Sequence, residues 1–278
     1  MRYKGDEKIM KKNDCKIVFS DIDGTILTSD GVVTPDTREM ILEMEKDGIP
    51  FVLTSARSPE GVRVIKRKIG NHAPMICFCG ALILDQDEKP LYSCQIPLDT
   101  ALKLKRLLEN EFPEVCCNTF GFEKWIVDNR EDTREQREEA IVGFSAEIGS
   151  IEEVFAEDGG IHKFLLMGEP EQMKRLAVRL REAFPDLQVA ASNAEYLEVT
   201  ENGVKKSAAL EALCEKLGLT AEQAGAFGDG ESDMGMIATA RFGYAMGNAP
   251  EKVRKFANFV TCKNDEEGVL AGLREIFG

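Results

Sequence analysis

The chain has 278 residues, of which 43% are hydrophobic and 30% are charged, a balance typical of a soluble globular protein with one large domain or two ordinary ones. Its 35 basic and 49 acidic side chains leave a net charge of −14, which argues against nucleic acids and anionic membranes as partners. The longest apolar run, residues 73–84, is shorter than the ~20 residues of a membrane helix. Residues 1–16 lack the apolar segment of a signal peptide, so we predict a cytoplasmic protein.

The eight cysteines and two histidines do not have the spacing of a zinc site. Cys77 and Cys79 lie two apart, Cys116 and Cys117 are adjacent, and no Cys-x-x-Cys sequence occurs. We therefore predict reduced thiols that pack as small hydrophobic side chains.

The first elements in chain order are strands and helices in alternation. Apolar runs predict strands over residues 16–20, 49–54 and 75–79. Thr34 and Pro35 have the pattern of a helix N-terminus, and a second helix is predicted from Ser58-Pro59 to Gly70. Continuous apolar strands that alternate with helices are typical of a parallel α/β sheet.

The same alternation returns near the C-terminus, after a middle region of a different character. A helix over residues 207–218 precedes predicted strands at residues 225–228, 243–246 and 259–261, and the last helix ends at Phe277. Between about residues 85 and 193, strand pairs and longer helices predominate. We predict an α/β fold with a Rossmann-like parallel-sheet core, formed by residues 1–84 and 194–278, and an inserted α+β cap domain of residues 85–193. Residues 1–14 are predicted to be a flexible leader.

An acidic motif, Asp21-Ile22-Asp23-Gly24-Thr25, follows the first predicted strand. In an open parallel sheet, ligands bind at the carboxyl ends of the strands, which is where this motif lies. Two carboxylates at this spacing suit a hard cation or a pair of acid and base roles. A simpler interpretation is an ordinary turn that uses Asp, Gly and Thr for backbone geometry.

A second acidic motif, Gly228-Asp229-Gly230-Glu231-Ser232-Asp233, follows another short predicted strand. If both strands belong to one parallel sheet, the acidic groups converge, and a bound Mg²⁺ would compensate their repulsion. The alternatives are a dinucleotide-binding turn, which lacks its third glycine, or a plain helix cap.

Two further segments carry groups that suit a phosphate. Ser55, Ala56 and Arg57 follow the second strand and offer a hydroxyl, backbone N–H groups and a guanidinium before a helix. Lys205 and Lys206 open a later helix, where one lysine could hold a phosphoryl oxygen. The first segment could equally be a helix cap by Ser58 with a solvated arginine, and paired lysines are usually a solvated surface.

Taken in order, these motifs resemble those of the haloacid dehalogenase-like phosphatases. The resemblance rests on the two acidic motifs together with residues 53–57, 79–81, 197–200 and 203–206. The C-terminal segments 245–249, 260–261 and 267–269 are similar to the Cof-type branch, which has an inserted α/β cap. The resemblance covers nearly the whole chain after the leader.

The resemblance implies a mechanism and a cofactor. Asp21 would be the nucleophile that forms an aspartyl-phosphate, and Asp23 the general acid and base. Mg²⁺ would be bound by Asp21, by the main-chain carbonyl of Asp23, by Asp229 and by Asp233 through a water. The residues implied to bind phosphate or substrate are Ser55, Ala56, Arg57, Lys206 and Ser232.

The sequence departs from the family pattern where Ala56, Cys79 and Ser232 replace the usual Gly, Asn and Asn. The inserted cap would read the leaving group, and its candidate readers are Lys163, Trp125, Glu123 and Arg130. Each of these could instead be a core or solvated residue. The expected partner is a small phosphorylated metabolite, with the protein a monomer or a weak homodimer.

The favoured hypothesis is a Mg²⁺-dependent phosphatase that acts on a small phosphate monoester such as a sugar phosphate. One alternative is a phosphomutase or phosphotransferase that uses the same aspartyl-phosphate. Another is a receiver-like or non-catalytic phospho-ligand binding protein, against which the inserted cap argues, because receivers are single domains of about 100–150 residues.

Overall fold

The structure, a computed structural model, describes residues 14–278. The predicted leader therefore lies outside the described residues, apart from Asp14. No disulfide joins the cysteines within this range. Over the same residues, no helix combines the length and the apolar character needed to cross a bilayer.

Short strands and helices alternate along residues 14–278. The strands are β1 Ile17–Ser20, β2 Phe51–Thr54, β3 Met75–Cys77, β4 Leu82–Leu84, β5 Pro90–Ser93, β6 Ile96–Pro97, β7 Cys116–Gly121, β8 Lys124–Val127, β9 Glu147–Ile148, β10 Gly160–Ile161, β11 Lys163–Met167, β12 Leu187–Ala191, β13 Tyr196–Glu201, β14 Ala224–Gly228, β15 Phe242–Ala245 and β16 Phe259–Val260. The helices are α1 Pro35–Lys46, α2 Pro59–Ile69, α3 Leu98–Glu111, α4 Thr133–Val142, α5 Ile151–Val154, α6 Pro170–Ala183, α7 Lys206–Lys216, α8 Met234–Thr239, α9 Glu251–Arg254 and α10 Gly268–Phe277. Tight helical turns lie at Ile22–Ile26, Phe78–Gly80, Ala221–Gln223, Glu231–Asp233 and Asn264–Glu266.

The described chain divides into two compact units. The first comprises residues 14–53, Ile69–Ala73 and Leu210–Gly278, and the second comprises Thr54–Lys68 and Pro74–Ala209. The predicted boundaries of a discontinuous core and an inserted cap stay a prediction.

The first unit is built on a parallel sheet. Its strands lie in the order β16-β15-β14-β1-β2, and every neighbouring pair is parallel. All four residues of β1 and all five of β14 are buried, as expected for strands that are covered on both faces. The predicted α/β class with a parallel-sheet core is confirmed.

Helix α1 of the first unit begins as its sequence predicts. The Thr34 side chain accepts a hydrogen bond of 3.3 Å from the backbone N–H of Thr37, and Pro35 occupies the first helical position. Ile41 and Met44 are buried at helical spacing, so α1 presents one apolar face to the core.

The second unit contains a sheet in the order β12-β13-β11-β7-β8-β9, antiparallel except for the parallel pair β8–β9. Its apolar core joins Leu104 and Leu108 of α3, Leu176 and Leu180 of α6, and Phe164 of the sheet. A smaller antiparallel group, β3-β4-β5, belongs to the same unit.

The third predicted strand is shorter than the sequence indicates. β3 ends at Cys77, and Cys79 lies in the following turn instead of on the strand. Phe78 and Cys79 have φ angles of +51° and +58°, which takes the backbone out of the extended region. The predicted strand over residues 75–79 is therefore wrong at its last two positions.

Candidate active site

The first acidic motif forms a tight turn at the carboxyl end of β1. Asp21 is 8% exposed, whereas the side chain of Asp23 is exposed. Ile22 and Ile26 are buried and anchor the turn in the core. The turn therefore separates its two carboxyl groups, with Asp21 directed inward and Asp23 toward solvent.

The second acidic motif follows β14, the parallel neighbour of β1. Ser20 pairs with Phe227 in the register of these strands, so Asp21 and Asp229 both follow at the same sheet edge. The carboxylates of Asp21, Asp229 and Asp233 each offer an oxygen within 4.8 Å of the others. The predicted convergence of the two acidic motifs is confirmed for these three residues.

Hydrogen bonds orient the carboxylate of Asp229. The Thr25 hydroxyl donates to its Oδ1 over 2.9 Å. The Asn248 amide donates to its Oδ2 at 3.5 Å and to the carbonyl oxygen of Gly24 at 2.8 Å. Sequence reasoning assigned no role to Thr25 or Asn248, although both lie inside motifs that carried the resemblance.

The carboxylate of Asp233 is held by the backbone of its own turn. Its Oδ2 accepts hydrogen bonds from the N–H groups of Asp229 at 3.1 Å and Gly230 at 2.9 Å. Asp233 is 1% exposed. These two hydrogen bonds fix the orientation of the Asp233 carboxylate.

The donor chemistry of this group fits a hard divalent cation. The three side chains supply only oxygen ligands within a small space, and Mg²⁺ prefers such a set while it keeps several waters. The carboxylate of Asp23 is not in the group, and the assignment of its main-chain carbonyl as a ligand stays a prediction.

In the second unit, Ser55, Ala56 and Arg57 form a short loop after β2, here called the serine loop. Ser55 is 2% exposed, and Ala56 and Arg57 are half-buried. The Arg57 N–H donates to Ser55 Oγ over 3.2 Å. The serine loop thus has a defined conformation that includes the side chain of Ser55.

The turn Phe78–Gly80 supports the serine loop from the neighbouring segment. The N–H of Phe78 donates to the Arg57 carbonyl at 3.0 Å, and the N–H of Cys79 to the Ser55 carbonyl at 2.9 Å. These bonds stabilise the positive φ angles, since a strained backbone persists only where its surroundings determine it. Cys79 is half-buried, whereas Cys77 is buried, so the thiol of Cys79 is the more accessible of the two.

Gly80 brings the same turn against the start of α7. Its φ is +111°, and an added Cβ would lie 2.7 Å from the carbonyl oxygen of Lys205. Lys206 is 3% exposed, whereas Lys205 is exposed. Position 80 therefore accepts only glycine. Of the two lysines, Lys206 is the buried one.

Ser232 lies on the exposed surface of the turn Glu231–Asp233. Among residues 14–278 it has no hydrogen bond that would define a role in substrate binding. Its assignment stays a prediction.

All four candidate readers of the leaving group have structural partners. Trp125 is 6% exposed, stacks on Phe120 and donates its indole N–H to Asn118 at 2.7 Å. Glu123 pairs with Arg63, and Arg130 pairs with Glu139. The fourth candidate, Lys163, donates to the carbonyl of Ala56 in the serine loop at 2.7 Å.

His162, beside Lys163, is a buried neutral histidine. It is fully buried, and burial lowers its pKa to about 4. Its Nδ1 accepts from the N–H of Phe122 at 3.1 Å, and its Nε2 lies 3.0 Å from Ser93 Oγ. With Nδ1 accepting, the ring proton is on Nε2, which therefore donates to Ser93.

Comparisons with known proteins agree with the motifs. The family model described as haloacid dehalogenase-like hydrolase matches residues 18–273. A Haemophilus influenzae protein provisionally named a phosphatase is 34% identical over 270 residues, which are 94% of this chain and 98% of its own. The Bacillus subtilis phosphatase YwpJ is 27% identical over 94% of this chain and 99% of its own. The predicted enzyme class, a hydrolase of the phosphatase type, is confirmed.

Solved structures agree with the fold. A haloacid dehalogenase-like hydrolase from Bacteroides thetaiotaomicron superimposes with a TM-score of 0.86 at 26% identity, over 95% of this chain and all of its own. A Thermotoga maritima protein superimposes with a TM-score of 0.84 at 25% identity, over 94% of this chain and 97% of its own.

Proposed function

Since the chain belongs to the haloacid dehalogenase-like hydrolase family, we propose that it is a cytoplasmic Mg²⁺-dependent phosphatase that hydrolyses a small phosphate monoester. The observation that carries the proposal is the group formed by Asp21, Asp229 and Asp233 at the carboxyl ends of β1 and β14. A carboxylate nucleophile beside oxygen ligands for a cation suits phosphoryl transfer through an aspartyl-phosphate.

In the proposed reaction, a carboxylate oxygen of Asp21 attacks the phosphorus atom and the ester P–O bond breaks. Asp23 donates a proton to the departing oxygen, so that the product leaves as an alcohol. Asp23 then accepts a proton from the water that attacks the aspartyl-phosphate, which releases inorganic phosphate and regenerates Asp21. The exposed side chain of Asp23 suits a group that exchanges protons with water.

The charge of the phosphoryl group requires compensation in both steps. We assign this role to the hydroxyl of Ser55, the backbone and guanidinium of the serine loop, and the ammonium of Lys206. Lys206 is 3% exposed, and a preorganised donor excluded from water stabilises charge in a transition state most effectively. Ser232 is assigned to the same binding function from the family pattern alone.

A bound Mg²⁺ would supply positive charge for the phosphoryl oxygens and the attacking carboxylate. The residues that would hold it are Asp21, the main-chain carbonyl of Asp23, Asp229 and Asp233. Support comes from the fixed orientation of the last two carboxylates, which accept hydrogen bonds from Thr25 and from backbone N–H groups.

We propose a small phosphorylated metabolite, such as a sugar phosphate, as the substrate class. One Bacillus subtilis relative, 26% identical over 94% of this chain and 95% of its own, is named 5-amino-6-(5-phospho-D-ribitylamino)uracil phosphatase. The inserted segment 85–193 is proposed to select the leaving group, since specificity requires contacts beyond the phosphate itself.

The test is a screen of several dozen phosphate esters with added Mg²⁺, followed by the variant Asp21→Asn. The amide keeps the shape of the side chain but removes the nucleophile, so we expect turnover to fall by at least about a thousandfold. Asp30→Asn, at an exposed aspartate nine residues later, is the matched control and should retain wild-type turnover.

Near wild-type activity of Asp21→Asn, with an unchanged circular dichroism spectrum, would contradict the covalent mechanism. Product analysis with and without an acceptor sugar distinguishes hydrolysis from transfer. Transfer to the sugar as the main product would replace the phosphatase by a phosphotransferase.

A further inference from the structure

The three carbonyl groups of the serine loop each accept a hydrogen bond from a different donor. Ser55 and Arg57 accept from the backbone N–H groups of Cys79 and Phe78. The carbonyl of Ala56 accepts from a side chain, the ammonium of Lys163, over 2.7 Å. Lys163 is therefore the one of these three donors that a substitution can remove without a change of backbone.

The ammonium of Lys163 occupies a buried and largely aromatic site. Lys163 is 5% exposed, its Nζ lies 3.4 Å from Glu198 Oε2, and the ring centroids of Phe120 and Phe78 lie 5.3 and 5.9 Å away. Burial of a charge is costly even when it is paired, and an apolar side chain of similar volume is often at least as stable. Packing alone therefore does not explain a lysine at this position.

The peptide group between Ala56 and Arg57 connects the ammonium of Lys163 to the hydroxyl of Ser55. The carbonyl of Ala56 and the N–H of Arg57 belong to the same planar peptide and point in opposite directions. That N–H donates to Ser55 Oγ over 3.2 Å. A charged donor on the carbonyl polarises the peptide and strengthens the bond made by its N–H group.

This bond determines which role the Ser55 hydroxyl can take. A hydroxyl has one hydrogen and two acceptor sites. With one lone pair of Oγ directed at the Arg57 N–H, the hydroxyl hydrogen is directed away from the loop. That orientation suits donation to an oxygen of a bound phosphoryl group.

We propose that Lys163 is a positioning residue, which acts through the Ala56–Arg57 peptide to orient the Ser55 hydroxyl toward the phosphoryl oxygen. The inference rests on the proposed function, because it takes Ser55 as a phosphate donor. It assigns to Lys163 a role in the chemical step in place of the predicted reading of the leaving group.

The experiment is a double-mutant cycle on hydrolysis of an aryl phosphate with saturating Mg²⁺. Lys163→Met keeps most of the side-chain stem and removes the ammonium. We expect its kcat to fall about 10- to 100-fold, as when a group that orients an active-site residue is lost, with a smaller change in KM. In a Ser55→Ala background the same substitution should change kcat less than about threefold, because interacting residues are non-additive.

Lys124 offers a matched control in the same unit. Its Nζ also donates to a backbone carbonyl, that of Val154 at 2.9 Å, pairs with Asp158 at 2.6 Å, and lies 5.7 Å from the ring centroid of Phe155. These partners are not in the serine loop, so Lys124→Met should leave kcat and KM unchanged.

Full effects of Lys163→Met in both backgrounds, or no effect in the wild-type background, would overturn the proposal, because a purely structural lysine would not depend on Ser55. If Lys163→Met does not fold, the cycle is run with Lys163→Gln. Full effects in both backgrounds, or no effect in the wild-type background, would again overturn the proposal. If the wild-type protein hydrolyses no ester, the proposed function fails, and the cycle is measured on calorimetric affinity for inorganic phosphate. Coupling between Lys163 and Ser55 in that affinity would support the positioning role, and additivity would overturn it.

Discussion

The hydroxyl of Thr25 donates a hydrogen bond of 2.9 Å to Oδ1 of Asp229, although 204 positions separate the two residues in the chain. Beside it, Gly24 has a φ of +74° and would place an added Cβ 2.5 Å from the other carboxylate oxygen of Asp229. The turns after β1 and β14 therefore fit together without room for one methyl group.

This close fit predicts the effect of Gly24→Ala. The added methyl group must displace the carboxylate of Asp229, so we expect Mg²⁺ affinity to fall by about 10- to 100-fold. Gly31→Ala is the control, because Gly31 has a similar φ of +72° but no atom of the described residues lies within 4 Å of its added Cβ. Both variants bear a backbone cost of roughly 1 kcal/mol. The Mg²⁺ concentration for half-maximal activity and the Mg²⁺-dependent shift in Tm measure the difference, and equal values would contradict the argument.

The two adjacent lysines give a second prediction. Lys206 is 3% exposed and Lys205 is exposed, so only Lys206 is expected to act on the phosphoryl group. Loss of one preorganised donor lowers turnover by about 10²- to 10³-fold. We expect kcat/KM of Lys206→Ala to fall by the same factor. The kcat/KM of Lys205→Ala should remain within about threefold of the wild-type value. Equal losses of kcat/KM in the two variants would contradict the assignment of the catalytic role to the buried lysine, Lys206.

A third prediction concerns the thiols on either side of Phe78. Cys79 is half-buried and Cys77 is buried, and burial raises the pKa of the Cys77 thiol. Since the thiolate is the reactive form, iodoacetamide should label Cys79 before Cys77, as read by peptide mass. We expect Mg²⁺ with orthovanadate to slow the labelling of Cys79, and equal labelling of both cysteines would contradict this placement.

The backbone at Cys79 adds a related expectation for Cys79→Asn. The φ of Cys79 is +58°, and Asn adopts this left-handed region more readily than most residues. The variant should therefore fold with an unchanged or higher Tm and give altered turnover, because the amide restores a polar group next to the serine loop. A clear decrease in Tm would contradict the strain argument.

The fourth prediction concerns pH and stability. Glu135 of α4 is fully buried, its Oε1 accepts no hydrogen bond from the described part of the chain, and burial raises its pKa to about 7. The carboxyl group of Glu135 therefore keeps its proton to a higher pH in the folded state than in the unfolded state, where its pKa is 4.5. As the pH rises from about 4.5 to 7, the unfolded state loses this proton first, so the free energy of unfolding falls. The loss from this group is about 3 kcal/mol at 1.36 kcal/mol per unit of pKa difference.

Urea melts of Glu135→Gln at pH 5 and pH 8 test this dependence. The neutral amide does not ionise, so the variant should gain stability relative to the wild type as the pH is raised. Glu131→Gln, at an exposed position of the same segment, should follow the wild type at both pH values. A constant difference between Glu135→Gln and the wild type would show that Glu135 is ionised in the folded protein throughout.

The strands of the parallel sheet and the meeting of the acidic motifs could be predicted because each depends on a local pattern. β1 and β14 are uninterrupted apolar runs, and the topology of parallel strands brings their carboxyl ends together. The N-terminus of α1 could also be predicted, because Thr34 and Pro35 act on their immediate neighbours.

Features that depend on distant contacts were not predictable. The run that ends at Cys79 has the composition of a strand, but hydrogen bonds to the serine loop stabilise a left-handed turn there. All six residues of β7 are buried, so this strand lacks the alternation that identifies one. The contact of Lys163 with Ala56 joins residues 107 positions apart, and no local pattern indicates it.

The pairing of β1 with β14 also has a consequence for biosynthesis. Ser20 pairs with Phe227, so β1 lacks this neighbour until about 200 further residues have been translated. At ~5–20 residues per second the ribosome needs roughly 10–40 s for that stretch. Throughout this interval one edge of an apolar strand stays open on the nascent chain, where such an edge invites aggregation. We therefore expect folding of the newborn protein to depend on chaperones that shield β1, and activity to appear only after β14 has been translated.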